Sequence, residues 1–267
     1  MKSSAARCII VLFLAVFSFY SCATTPQESA ERIAEAEAVR RLGEAYLSQG
    51  NYTAALREFL KAEKLSPNDH FLHYDLGIAY IEKKLYPEAI RHLSRANELK
   101  PDYAPARNSL GNAYILNGDY DKAIDALETL INDESFNIYS TPHFPRNNLG
   151  WAYYYKGEYA KAEKSFLGAL QIYDDGFQTD MTYLSVLRGL GLTCMAADRP
   201  DEAVTYLERA IRTAPRVQEL HMDLGRAYEM SGDRNLAVQS YRKVREINPA
   251  TKVADDALLR IRGLESN

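Results

Sequence analysis

At 267 residues, with 46% hydrophobic and 25% charged positions, the chain is long enough to bury a sizeable core. Lys and Arg number 32 against 36 Asp and Glu, a formal charge of −4, and nothing in this balance points to nucleic acid. The three cysteines, Cys8, Cys22 and Cys194, form no spaced pair, so no disulfide is expected.

Residues 1–7 carry Lys2 and Arg7 and no acid, and an uncharged stretch follows from Cys8 to Gln27. Its strongly apolar part, Cys8 to Tyr20, is shorter than the roughly 20 residues of a membrane-spanning helix, so residues 1–21 read as a secretory signal peptide. A retained hydrophobic anchor is the alternative, and either tethers the chain to a membrane. The end of the stretch, Phe19-Tyr20-Ser21-Cys22, resembles a bacterial lipobox. That resemblance implies a covalent lipid on Cys22 as the first mature residue. Ala23, in place of an aspartate, implies sorting to the periplasmic face of the outer membrane. Residues 22–28 would be a lipidated tether, and helix is expected from about Ser29 through the alanine-rich stretch Ala30–Arg41.

From there one pattern dominates. The dipeptide Leu-Gly occurs six times, and each glycine is followed twelve residues later by an alanine: Gly43 and Ala55, Gly77 and Ala89, Gly111 and Ala123, Gly150 and Ala162, Gly191 and Ala203, Gly225 and Ala237. The glycine spacings are 34, 34, 39, 41 and 34 residues, a period that belongs to stacked helical hairpins. With the glycine as position 8, the units span about 36–69, 70–103, 104–137, 143–176, 184–217 and 218–250. Position 7 is always leucine, position 11 is tyrosine except at Cys194, and position 24 is always large (Phe59, Leu93, Leu127, Phe166, Leu207, Tyr241). These residues form facing apolar stripes on two helices. A helical glycine costs roughly 1 kcal/mol relative to alanine, so six at one position imply close approach of the second helix. Gly50, Gly118, Gly157 and Gly232 mark the intervening turns, where positive φ is expected, and Pro67, Pro101, Pro215 and Pro249 end units. Residues 251–267 are expected to be a capping helix, with Val253, Ala257, Leu258 and Ile261 covering the last unit, and a short tail.

This chain is identified as a member of the tetratricopeptide-repeat family over residues 36 to about 250. The membership implies an all-α fold, a right-handed α-solenoid of six repeats with a C-terminal cap. It also implies a concave groove lined by first helices, with positions 2, 5, 9, 12 and 13 facing it.

No catalytic constellation stands out. His70 and His73 lack the acid of an HExxH motif and read as a solvated helix end. Gly189-Leu190-Gly191 falls inside a repeat helix, where its second glycine is position 8. No enzyme, metal or cofactor is expected beyond the lipid. What remains is binding of a protein or peptide. The groove register gives Phe71, Tyr74, Ile78 and Ile81 in repeat two, Asn108, Asn112, Ile115 and Leu116 in repeat three, and Phe144, Asn147, Trp151, Tyr154 and Tyr155 in repeat four. Aromatic anchors would take side chains and asparagine amides an extended backbone. The alternative is that some of these groups pack between repeats. Arg40 and Glu44 in repeat one do not match the clamp of cytosolic co-chaperones.

The insertion from Asp133 to Pro142 before Asn147-Asn148-Leu149-Gly150, with the lipobox and six repeats, resembles the type IV pilus pilotins, the PilF, PilW and Tgl group. That resemblance implies an outer-membrane secretin as partner. A scaffold for peptidoglycan enzymes and a component of outer-membrane barrel assembly are the alternatives.

Overall fold

The computed structural model describes residues 26–133, 140–174 and 180–266. The signal segment, Cys22 and residues 134–139 of the third linker lie outside that range. Among the described residues there are thirteen helices and no strand. They pair as α1 (Pro26–Ser48) with α2 (Tyr52–Leu65), α3 (His70–Glu82) with α4 (Tyr86–Leu99), and α5 (Ala104–Asn117) with α6 (Tyr120–Ile131). The array continues with α7 (His143–Lys156) and α8 (Tyr159–Asp174), α9 (Met181–Ala196) and α10 (Pro200–Thr213), and α11 (Gln218–Ser231) and α12 (Arg234–Ile247). Helix α13 (Lys252–Glu265) closes it, with the Thr251 side chain accepting from Ala254 N. Two starts differ from the sequence reading. Helix α1 begins at Pro26, where proline's missing N–H costs nothing in the first turn, so residues 26–28 are helix rather than tether. Helix α9 begins at Met181, because Asp180 caps it by accepting from Thr182 N and Tyr183 N.

The hairpin core explains the period. A Cβ added at Gly43, Gly77, Gly111, Gly150, Gly191 or Gly225 would lie 2.4–2.8 Å from the nearest atom of the position-24 side chain of the same hairpin. The close approach is therefore filled by that large side chain and not by bare backbone. Phe59, Leu93, Leu127, Phe166, Leu207 and Tyr241 are all fully buried, each beside the fully buried position-20 alanine. Between hairpins, position-7 leucines and flanking residues complete the core, except in repeat one, where Leu42 is 46% exposed and no described element covers it. On the cap, Ala254, Ala257 and Ile261 are buried, while Val253 and Leu258 are half-buried.

Successive first helices touch along the array, whereas successive second helices make no comparable contact. First helices therefore lie on the inner, concave side and second helices on the outer.

All six turns place position 15 at positive φ, with glycine in four and Lys84 (φ 59°) and Asp198 (φ 57°) in the others. A left-handed conformation costs a residue with Cβ roughly 1–2 kcal/mol, partly offset by the extra freedom glycine has when unfolded. Lys84→Gly is expected to raise stability by up to about 1 kcal/mol, read as a higher thermal midpoint.

Candidate functional site: the inner face of the first helices

The inner face begins with a polar ladder. At three of the five junctions, position 5 of one repeat bonds to position 6 of the next. The Arg40 guanidinium donates to Asp75 at 3.0 Å, Asn148 Nδ2 donates to Asn108 Oδ1 at 3.0 Å, and Arg188 Nε donates to Asp223 at 2.7 Å. Burial drives the Asp75 carboxyl up to about 7 against the pull of Arg40. Repeat five breaks the ladder, since its position 6 is Gly189. There the Phe166 ring occupies the space: a Cβ on Gly189 would lie 2.5 Å from the ring, which Gly150 flanks as well. Asn147, deprived of a position-6 partner, accepts instead from Ser185 Oγ at 3.0 Å, and Ser185 accepts from Trp151 Nε1 at 2.8 Å.

These bonds redistribute the residues expected to bind a peptide. Asn147 is 7% exposed and Ile115 is 9% exposed, so both hold the array together and neither offers a surface. The Asn108 amide oxygen is engaged by Asn148. Trp151 is half-buried, its ring edge-on to Phe166, and with Tyr154 it packs against the core of repeat five. Burial raises the Tyr154 hydroxyl above its ordinary range. Ile81 packs on the Leu93–Leu110 cluster. Tyr74, Ile78, Asn112 and Phe144 are half-buried. Of the residues assigned to the groove from the sequence, three large apolar side chains remain exposed: Phe71, Leu116 and Tyr155.

Around them stand aromatic residues that the first-helix register did not include. Tyr103, the residue preceding α5, meets Phe71, Tyr74 and His70 edge-on at 5.4–5.5 Å, while the Arg40 guanidinium lies over the Phe71 ring at 5.5 Å. Tyr120, the first residue of α6, stacks on Tyr155 at 5.6 Å, and Trp151 stacks on Tyr155 as well, at 5.7 Å. Both tyrosines sit at hairpin edges outside the first helices, so only the fold brings them to the site. The result is two aromatic platforms, one on repeats two and three and one on repeats three and four, with Leu116 exposed on α5.

His73 departs from the expected solvated helix end. It is buried, its Nδ1 is 3.0 Å from His92 Nδ1, and its Nε2 bonds to the Pro67 carbonyl at 2.9 Å. At the junction of repeats four and five, Asp180 accepts from the Tyr173 hydroxyl at 2.7 Å and lies 3.2 Å from His143 Nε2, joining the N-cap of α9 to α7 and α8.

Models of the tetratricopeptide repeat match residues 43–84, 80–138, 145–216 and 189–250. No curated protein matches the chain. Among solved structures, PilW, a widely conserved type IV pilus biogenesis factor, is similar with a TM-score of 0.74 at 16% identity, over 84% of this chain and 98% of that one. PilF of Pseudomonas aeruginosa gives 0.68 at 17% identity, over 86% and 99%. YrrB, a tetratricopeptide-repeat protein with an unusual peptide-binding site, gives 0.52 at 17% identity, over 75% and 97%. At these identities the likeness is one of fold.

Proposed function

Because the chain is a tetratricopeptide-repeat protein, we propose that it is a non-enzymatic scaffold whose concave face binds a protein segment, and that it acts as a pilotin for a type IV pilus secretin. The observation that carries the reading is the pair of aromatic platforms at Phe71 and Tyr155, apolar surface left open on the inner face where the remaining aromatics are packed. Exposed aromatic surface of this kind suits a partner site, and aromatic anchors dominate such interfaces. The near-complete coverage of the PilW and PilF folds supports the choice of partner class. The lipobox-like Ser21-Cys22 supports an outer-membrane anchor, which would hold the groove against the periplasmic side of the channel.

Deleting the gene is expected to remove heat-resistant secretin multimer from the outer membrane, with surface pili, while monomer synthesis persists. Normal multimer in the deletion strain would overturn the pilotin reading and favour a scaffold for cell-wall enzymes. Cys22→Ser is expected to abolish lipid labelling and release the protein from the outer-membrane fraction.

A further inference from the structure

We propose that Glu63, His73 and His92 form a site for one divalent transition-metal ion of the zinc class, joining repeat one to repeat two. The three residues come from three helices, α2, α3 and α4, so the site exists only when the hairpins are docked. Their ligand atoms converge. The two Nδ1 atoms are 3.0 Å apart, and Glu63 Oε1 is 3.8 Å from His92 Nδ1 and 4.0 Å from His73 Nδ1. Ligands at about 2.0–2.2 Å from a tetrahedral ion are themselves roughly 3.4 Å apart, a value these separations bracket. Both histidines are buried, and Glu63 at 28% side-chain exposure leaves one side open for water as fourth ligand. Two imidazoles and a carboxylate suit zinc, nickel or copper better than calcium or magnesium.

Second partners set the nitrogens for this role. The Pro67 carbonyl can only accept, so the His73 proton resides on Nε2 and the Nδ1 lone pair faces inward, as in metal-bound histidines. On His92 the Arg91 guanidinium is 3.0 Å from Nε2 and can only donate. Without metal, His92 therefore carries its proton on Nδ1 and shares it with His73. Binding moves that proton to Nε2, turns both rings toward Glu63 and displaces Arg91, whose exposed side chain is free to swing outward. The Tyr80 ring, parallel to His92 at 5.3 Å, limits the other motions of that imidazole.

Repeat six supplies an internal comparison. His221 makes the same bond to the Pro215 carbonyl at 2.9 Å, yet Ser240 stands at the repeat position of His92 and Ile211 at that of Glu63. The carbonyl bond is thus a device of the repeat, whereas the three converging ligands belong to the first junction. The other such group among the described residues, Glu163, Cys194 and Glu202, already encloses a cation, with Arg199 at 2.6 and 2.9 Å from the two carboxylates.

The test is titration of the untagged full chain in detergent with zinc against a chromophoric chelator, and with cobalt for the intense visible bands of a tetrahedral site. One ion per chain is expected. His73→Gln, His92→Gln and Glu63→Gln should each weaken binding by about tenfold or more. Arg91→Gln should tighten it severalfold by removing the competing donor, and His221→Gln should leave it unchanged. Circular dichroism checks folding, and if a histidine variant fails it, Glu63→Gln and Arg91→Gln, at accessible positions, still decide. Absence of binding by the wild type, or wild-type affinity in both Glu63→Gln and Arg91→Gln, would overturn the proposal. Either result leaves the pilotin reading where it stands.

Discussion

Gly189→Ala is expected to destabilise the protein even though alanine is the better helix former. The exchange should gain about 1 kcal/mol of helix propensity. Against this, the new Cβ would sit 2.5 Å from the Phe166 ring, and the ring has little room to retreat because it also lies tight against Gly150, where an added Cβ would be 2.6 Å away. Overpacking of a rigid core costs about 1–3 kcal/mol or more, and in a solenoid the strain passes to the neighbouring repeat interface. The net loss should be about 1–2 kcal/mol, seen as a lower denaturation midpoint. Phe166→Ala alone, removing a fully buried ring, should cost about 3–5 kcal/mol. In that background Gly189→Ala should reverse sign and stabilise, because the clash is gone and the propensity gain remains. A double-mutant cycle by chemical denaturation measures this reversal. Destabilisation by Gly189→Ala of the same size in both backgrounds would mean that the ring does not explain the glycine.

The second large effect separates packing from binding among the aromatics of repeat four. Trp151→Ala removes a half-buried ring that lies on Phe166 and strands the Ser185 and Asn147 bonds behind it, so it should cost about 2–3 kcal/mol of stability. Tyr155→Ala, at 53% exposure, should cost less than about 1 kcal/mol. Binding should respond in the opposite order of cleanliness. Phe71→Ala with Tyr155→Ala should leave a folded chain that has lost about 2 kcal/mol or more of partner affinity, roughly thirtyfold. Thermal melts and secretin pull-down on the same preparations check both halves. A stable Trp151→Ala variant would contradict the packing role assigned to the Trp151–Ser185–Asn147 chain.

The sequence revealed the hairpins, their register and their large-against-small core because those features recur at a fixed period. Features that break the period were hidden. Gly189 stands at position 6, where its counterparts include Asp75, Ser109, Asn148 and Asp223, and its purpose appears only when Phe166 is seen between two repeats. For the same reason Asn147 looked free: the residue that captures it, Ser185, belongs to another repeat at a different position. Tyr103 and Tyr120 were missed because they flank the first helices, and His92 because it meets His73 only across a hairpin. A repeat register says which positions are equivalent. It does not say which neighbour fills the space beside each one.

Site-specific photo-crosslinking in living cells tests the groove most directly. A photoreactive residue at position 71 or 155 on the inner face is expected to capture the secretin, while one at position 167, an exposed site on the outer helix α8, captures none. Secretin captured from position 167 but from neither 71 nor 155 would contradict the assignment of the concave face as the binding surface.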